Sequence, residues 1–263
     1  MGLPFPQDST NSELPAYLLV THGSRDPRPQ AEAGVLAHQV AAELRRRQAG
    51  GLPQLVETAV LELGSQPLHE QILRVGMQAL TLGSDRLVVI PLFLLPGVHV
   101  MEDIPAEVAI ARQQIDPRLT IAIAPHLGSH PKLANLLPQP ESSAAARILL
   151  AHGSRRPGGN TPVEDLAQQI GAIAAYWAVP PSLAVQVAGL VERGAQQVEI
   201  VPFFLFPGGI MEAIAQEVRD LSKQFPDCHF RLHTPLGATP QLTTLVVDLA
   251  LCSLGEVKAM RSG

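Results

Sequence analysis

LLVTHGSR (residues 18–25) returns as LLAHGSR at residues 149–155, and this recurrence decides the reading of the whole chain. Working outward, VVIPLFLLPGVHVMEDIPAE at 88–107 returns as EIVPFFLFPGGIMEAIAQE at 199–217. HLGSHPKL at 126–133 returns as PLGATPQL at 235–242. The offset falls from 130 (His22 to His152) through 111 (Pro91 to Pro202) to 109 (Gly128 to Gly237), so order is kept while loops shorten. Two units of this size are a duplication, not a solenoid.

Each unit alternates apolar runs with helical stretches. In the first, AYLLV (16–20), VETAVLEL (56–63), RLVVIPLF (86–93) and LTIAIA (119–124) are separated by helical sequence near 30–49, 67–82 and 102–115. In the second, ARILLA (146–151), a weaker IAAYWA (173–178), VEIVPFFLF (198–206) and HFRLHT (229–234) alternate with helices near 160–172, 182–193, 211–224 and 239–253. Continuous apolar strands between helices belong to parallel sheets covered on both faces. The expected fold is α/β: two similar Rossmann-like lobes, each a four-stranded parallel sheet flanked by helices, related by an internal pseudo-twofold. Residues 1–15 read as a disordered leader, 16–137 as the N-terminal lobe carrying the site, 138–146 (PQPESSAAA) as a linker and 147–263 as a degenerate second lobe.

The composition removes several classes. A net charge of −5 with no basic run argues against nucleic-acid binding. No stretch approaches the roughly 18–20 apolar residues of a membrane span. The opening MGLPFPQDSTNSELPA lacks the basic and apolar segments of a signal peptide, and Pro6 stands where myristoylation wants Ser or Thr. Cys228 and Cys252 have no CxxC spacing and read as core residues. The expected location is a reducing cytoplasm.

Ligands of such sheets bind beyond the carboxyl ends of the strands. His22 follows the first strand, Glu62 ends the second and His99 lies in the loop leaving the third, so the three converge at one sheet edge. The halves diverge at these positions. Aligning the Met-Glu pairs puts Gly209 opposite His99; counting back five residues from Pro67 and from Pro181 puts Tyr176 opposite Glu62. Two neutral imidazoles suit a borderline divalent metal such as Fe, Co, Ni or Zn, and His-Glu-His with few protein ligands describes an open site. Gly23, Ser24 and Arg25 form a tight turn whose amides can face an anion. Asp103 and Glu102 can each orient an imidazole, although a first-turn acid such as Glu102 also has dipole reasons to be there. His126 can line the cleft, His130 caps a helix, and Phe203, Phe204 and Phe206 are packing residues on this reading. A serine hydrolase built on Ser24 and His22 fails, because adjacent side chains on a turn need not face each other and no oxyanion motif is present.

THGSR at 21–25, LELGSQP at 61–67 and PLFLLPGVHVMEDIPAEV at 91–108, with the echoes AHGSR and AYWAVPPSL, resemble the sirohydrochlorin chelatases, specifically the long two-domain class of class II tetrapyrrole chelatases. The resemblance spans about 16–254. It implies insertion of Fe2+ into sirohydrochlorin to give sirohaem, or of Co2+ towards cobalamin, with the metal as substrate and no cofactor permanently bound. It maps the metal histidines onto His22 and His99 and the active-site glutamate onto Glu62. His152 matches the first histidine of the second half, but Gly209 and Tyr176 depart from the pattern, so one metal site is expected. The fused halves would take the part of a homodimer, giving a monomer with an internal pseudo-dimer.

On that basis His22 is the first choice for metal ligand and base, with the division of roles among His22, Glu62 and His99 left open. Amides of both HGSR turns, with Arg25 or Arg155, would bind the carboxylates of the tetrapyrrole, and Leu95 and Val98 would touch its face. Arg156 is a further carboxylate candidate. A non-catalytic metal or tetrapyrrole carrier would instead bind stoichiometrically without turnover.

Overall fold

Successive residues of the first strand go to different cores. In β1 (Ala16–Thr21), Tyr17 and Leu19 join one apolar cluster while Ala16, Leu18 and Val20 join another. The same alternation holds in the third strand, where Val88 and Ile90 part from Leu87 and Val89. A strand buried on both faces must be apolar throughout, which is why the run is continuous instead of alternating. The computed structural model describes residues 14–47, 54–140 and 145–261. The expected leader therefore falls almost wholly outside the described residues, as do 141–144 of the linker.

The first sheet is built from β1, β2 (Val56–Val60), β3 (Arg86–Pro91) and β4 (Thr120–Ile123) in the order β2-β1-β3-β4, all parallel. The second, from β5 (Ala146–Ala151), β6 (Ile173–Tyr176), β7 (Gln197–Pro202) and β8 (His229–Leu232), has the equivalent order β6-β5-β7-β8. The outer face of the first sheet is covered by α2 (Leu68–Thr81) and α3 (Ile104–Gln114). The outer face of the second is covered by α5 (Leu183–Glu192) and α6 (Gly209–Gln224).

Between the sheets lies one shared layer. It holds α1 (Arg28–Arg47), α4 (Thr161–Gln169) and α7 (Pro240–Arg261), and a single apolar cluster runs through it from Tyr17 and Leu19 to Leu149 and Val201. Helix α1 buries Ala33, Leu36, Ala37, Val40 and Leu44, the 3-4 spacing of one face. Although α7 belongs to the second repeat, it lies against α1, β3 and β4 of the first. Arg47 pairs with Asp248 at 2.9 Å, and the Thr243 hydroxyl donates to Gln39 Oε1 at 2.7 Å. The buried Arg147 fixes the chain entering the second repeat: Nη1 donates to the Ile170 carbonyl at 2.7 Å, Nη2 to that of Pro138 at 2.5 Å, and Nε lies 3.3 Å from Glu199. No helix among the described residues is long and apolar enough to cross a membrane.

Candidate metal centre

Pairing carries β1 and β2 past their formal ends. The expected second strand reached residue 63, but β2 stops at Val60; Leu61 and Glu62 still donate to the carbonyls of Thr21 and His22, both at 2.9 Å. That last bond sets Glu62 directly beside His22. The approach is so close that a Cβ on Gly23 would meet the Glu62 carbonyl oxygen at 1.9 Å, and Gly23 sits at φ +102°. Glycine is the residue that meets both conditions. Leu63, next in the chain, is the one non-glycine residue at positive φ among those described, with φ 59°.

His99 arrives differently. The expected loop is a π-turn spanning His99–Asp103, which runs straight into α3. The first repeat has one residue more here than the second, and a π-turn is how a helix absorbs a single insertion, commonly at a functional site. It places Asp103 Oδ2 2.7 Å from His99 Nδ1. A carboxylate at that distance favours the tautomer with the proton on Nδ1, which would leave the Nε2 lone pair open to a metal.

The three expected residues converge: ligand atoms of His22, Glu62 and His99 all lie within 4.8 Å of one another. Glu62 stands 3.9 Å from His22 Nε2 and 4.0 Å from His99 Nδ1, and the two imidazoles meet edge to face with centroids 4.7 Å apart. Phe93 backs both rings, at 6.4 and 6.0 Å. Half of the His22 and Glu62 side chains remains exposed, so the cluster is open to an incoming ligand.

His22 and His99 lie on the wall of a largely apolar cleft of about 1030 Å³. Leu95, Val98 and Met101 continue that wall; His152, Arg155, Arg156 and the aliphatic Val179 line it from the second repeat. Gly23 and Ser24 fall instead in a smaller adjoining pocket, and Arg25 is exposed and outside the cleft lining. Arg155 is exposed, with no carboxylate partner among the described residues.

Other expectations are corrected. His130 stands at the C-cap of the 3-10 turn Leu127–Ser129, its amide donating to the Leu127 carbonyl, and caps no α-helix; it is buried, with Nε2 3.8 Å from Asp248 on α7 and Nδ1 accepting from the Lys132 amide. Burial pushes its pKa below the usual histidine value, as it does for His126, which does not line the cleft. Phe203 and Phe204 pack, yet they also line the cleft. Cys228 is buried as expected, whereas Cys252 is exposed. The partner of Glu62 in the second repeat is Ala178 and not Tyr176: Ala178 donates to the His152 carbonyl as Glu62 does to that of His22, while Tyr176 pairs with Ala151 as Val60 does with Thr21. Counting from the prolines ran two residues out of register. Glu102 and Glu212 have a reason to recur beyond the helix dipole. Glu102 lies 3.7 Å from Arg156 and Glu212 2.5 Å from Arg28, each reaching an arginine of the other repeat.

The CbiX family profile matches residues 16–144 and again 146–251. The chain belongs to this family, that of the sirohydrochlorin chelatases. A sirohydrochlorin cobaltochelatase of Priestia megaterium is 26% identical over 93% of this chain and 82% of its own length. A sirohydrochlorin ferrochelatase of the same organism is 25% identical over 80% of both. Among solved structures, SirB from Bacillus subtilis with Fe3+ superposes with a TM-score of 0.74 at 22% identity, covering 93% of this chain and 97% of that one. SirB from Bacillus subtilis subspecies spizizenii in complex with cobalt gives 0.68, also at 22% identity, over 89% and 92%. At that identity the two structures speak for the chelatase-like fold.

Proposed function

We propose that this chain is a sirohydrochlorin ferrochelatase, inserting Fe2+ into sirohydrochlorin to give sirohaem. The observation that carries the reading is the convergence of His22, Glu62 and His99, with both imidazoles lining an apolar cleft of about 1030 Å³, the upper end of the range for small-molecule sites. Two imidazoles and a carboxylate hold a first-row dication while leaving coordination positions open. Half-exposed donors suit a metal that must leave again, because it is a substrate and not a resident cofactor.

Each residue then has a task. His22 and His99 replace water on the incoming metal, Glu62 offsets its charge, and Asp103 holds His99 in the tautomer with Nε2 free. Leu95, Val98 and Met101 lie against the macrocycle and keep water from its face. Arg155 and the amides of the two HGSR turns take its carboxylates; Arg25, outside the cleft, draws the polyanion in. The second repeat supplies the opposite wall, so a monomer suffices, and two cysteines outside any disulfide suit a reducing cytoplasm.

Cobalt is the second reading, favoured by the cobaltochelatase that matches 93% of the chain. The test is anaerobic turnover of sirohydrochlorin, followed by macrocycle absorbance after adding Fe2+ or Co2+. Acceleration over the protein-free rate, lost in His22→Ala and His99→Ala, supports a chelatase, and the ratio of kcat/KM for the two metals ranks them. No acceleration by the wild type would leave a carrier.

A further inference from the structure

The repeats meet at two equivalent junctions, and these are built differently. At each, the glutamate beyond the third strand of one repeat reaches an arginine beside the HGSR turn of the other. The first junction is locked. Arg28 donates from Nη1 to Glu212 at 2.5 Å and grips Asp26 as well, from Nε at 2.9 Å and from Nη2 at 2.5 Å. The chains are close there too: a Cβ on Gly208 would touch Pro29 Cγ at 3.4 Å.

The second junction is loose. The offset of 130 puts Arg156 where the first repeat has Asp26, so no acid on its own turn holds the arginine. Among the described residues its side chain pairs with Glu102 alone, Nη2 to Oε1 at 3.7 Å, which is beyond hydrogen-bond distance. Both side chains are more than half exposed, and an exposed pair at that spacing does little for the fold. Gly97, the counterpart of Gly208, would have nothing within 4 Å of a Cβ. The cleft lies at this junction and not at the other: Gly97, Met101, Arg156 and Gly158 line it, whereas Asp26, Arg28 and Gly208 do not. Arg156 thus stands at the rim with its guanidinium donors largely free.

We propose that Glu102 is a place-holder on Arg156, displaced by a carboxylate of the tetrapyrrole when the macrocycle enters; this deepens the chelatase reading and rests on it. Exchanging one carboxylate for another on a guanidinium conserves the number of paired charges, and Glu102 returns to water it already meets. The incoming carboxylate can take two parallel N–H···O bonds, which the 3.7 Å contact with Glu102 does not supply. The exchange also selects among ligands. Glu102 is tethered beside Arg156, so a free monocarboxylate competes poorly with it, while a carboxylate on a ligand already anchored in the cleft competes well. Arg28 offers no such exchange, because Asp26 and Glu212 both hold it.

The experiment measures the Kd of metal-free sirohydrochlorin, from its absorbance change on binding, for wild type, Glu102→Gln, Arg156→Ala and the double variant. Arg28→Ala serves as the control junction, and melting temperatures are taken in parallel. Glu102→Gln is expected to bind about two- to fivefold more tightly, the worth of an exposed pair. Arg156→Ala is expected to bind about tenfold more weakly. In the double variant the Glu102→Gln change should have no further effect, and Arg28→Ala should lower the melting temperature with Kd near wild type. A Kd unchanged or raised in Glu102→Gln would overturn the proposal, as would wild-type binding by Arg156→Ala. So would equal tightening with and without Arg156, which means that Glu102 merely repels a polyanion. An equal loss in Arg28→Ala would overturn it too, since any nearby arginine would then serve. Failure of the wild type to bind sirohydrochlorin would overturn the chelatase reading as well, whereas the other results overturn the proposal alone.

Discussion

Replacing Gly23 with alanine should disable the metal site through the backbone alone. The added Cβ would lie 1.9 Å from the Glu62 carbonyl oxygen, where real contacts are not seen below 3.0 Å, so the two segments must part by about 1.1 Å. No rotamer relieves this, because both partners are main chain. The 2.9 Å bond from the Glu62 amide to the His22 carbonyl is the first casualty. Left-handed backbone costs a residue bearing Cβ about 1–2 kcal/mol, and the lost hydrogen bond about 1 kcal/mol more. For a chain of this size that is a fall of roughly 5–10 °C in melting temperature. The functional effect should be larger, since a displacement of about 1 Å in a reacting constellation can cost about 10²-fold. Gly34→Ala is the control: it sits inside α1 with nothing within 4 Å of its new Cβ and should stabilise by about 0.5–1 kcal/mol. Thermal unfolding and Co2+ calorimetry on both variants decide the matter. A Gly23→Ala protein that melts and binds Co2+ like wild type would refute the account of how Glu62 is held beside His22.

Four shorter predictions follow from the same geometry. Co2+ at 100 times its Kd should raise unfolding free energy by about 2.7 kcal/mol, and His22→Ala or His99→Ala should remove most of that shift; a full shift in either would put the metal elsewhere. Asp103→Asn should weaken Co2+ binding about 10–100-fold with little change in melting temperature, and unaltered affinity would make its 2.7 Å contact with His99 incidental. Arg155→Ala should raise KM for sirohydrochlorin more than it lowers kcat, whereas an unchanged KM would count against carboxylate binding there. Burial lowers the His130 pKa despite Asp248 nearby, so the unfolded chain takes up this proton more readily than the folded one; stability is full above about pH 6.5 and falls below it. Melting curves across that range should flatten in His130→Gln if this residue carries part of the dependence.

The fold was legible because both signals that encode it are local. Strands buried on both faces must be apolar throughout, and α1 shows its buried stripe at 3-4 spacing, so most boundaries came within a few residues; α7, expected to end near 253, runs on to Arg261. The convergence of His22, Glu62 and His99 followed from topology, since a parallel sheet brings its strand ends to one edge. What stayed hidden depended on contacts between segments or on register. The alignment of Glu62 with Tyr176 failed because the loops before Pro67 and Pro181 differ in path; only the ladder bonds of Glu62 and Ala178 reveal the true pair. The π-turn at His99 was written as one extra residue in the first repeat, but where a helix absorbs an insertion is a backbone matter. The recurrence of Glu102 as Glu212 had a second cause that no single repeat contains, because each reaches an arginine of the other.

Why a second repeat without a complete metal site persists can be argued from the shared layer. The first repeat has, in place of a long final helix, two short 3-10 turns at Leu127–Ser129 and Leu133–Leu136. These leave the inner face of its sheet, with Tyr17, Leu19, Val88 and Ile90, only partly covered by α1. Leu127, Leu133 and Leu137 add to that cover, and α7, which comes from the second repeat, brings Leu242, Leu245, Val246 and Leu249 into the same cluster. Removing the second repeat would expose those side chains to water, at a cost of about 25 cal/mol per Å² of apolar surface against a stability margin of about 5–15 kcal/mol. Fold thus holds the second repeat in place whatever its loops do. Its strand ends are thereby free to differ from those of the first repeat, with Ala178 in the place of Glu62 and Gly209 in that of His99, while the HGSR turn is kept.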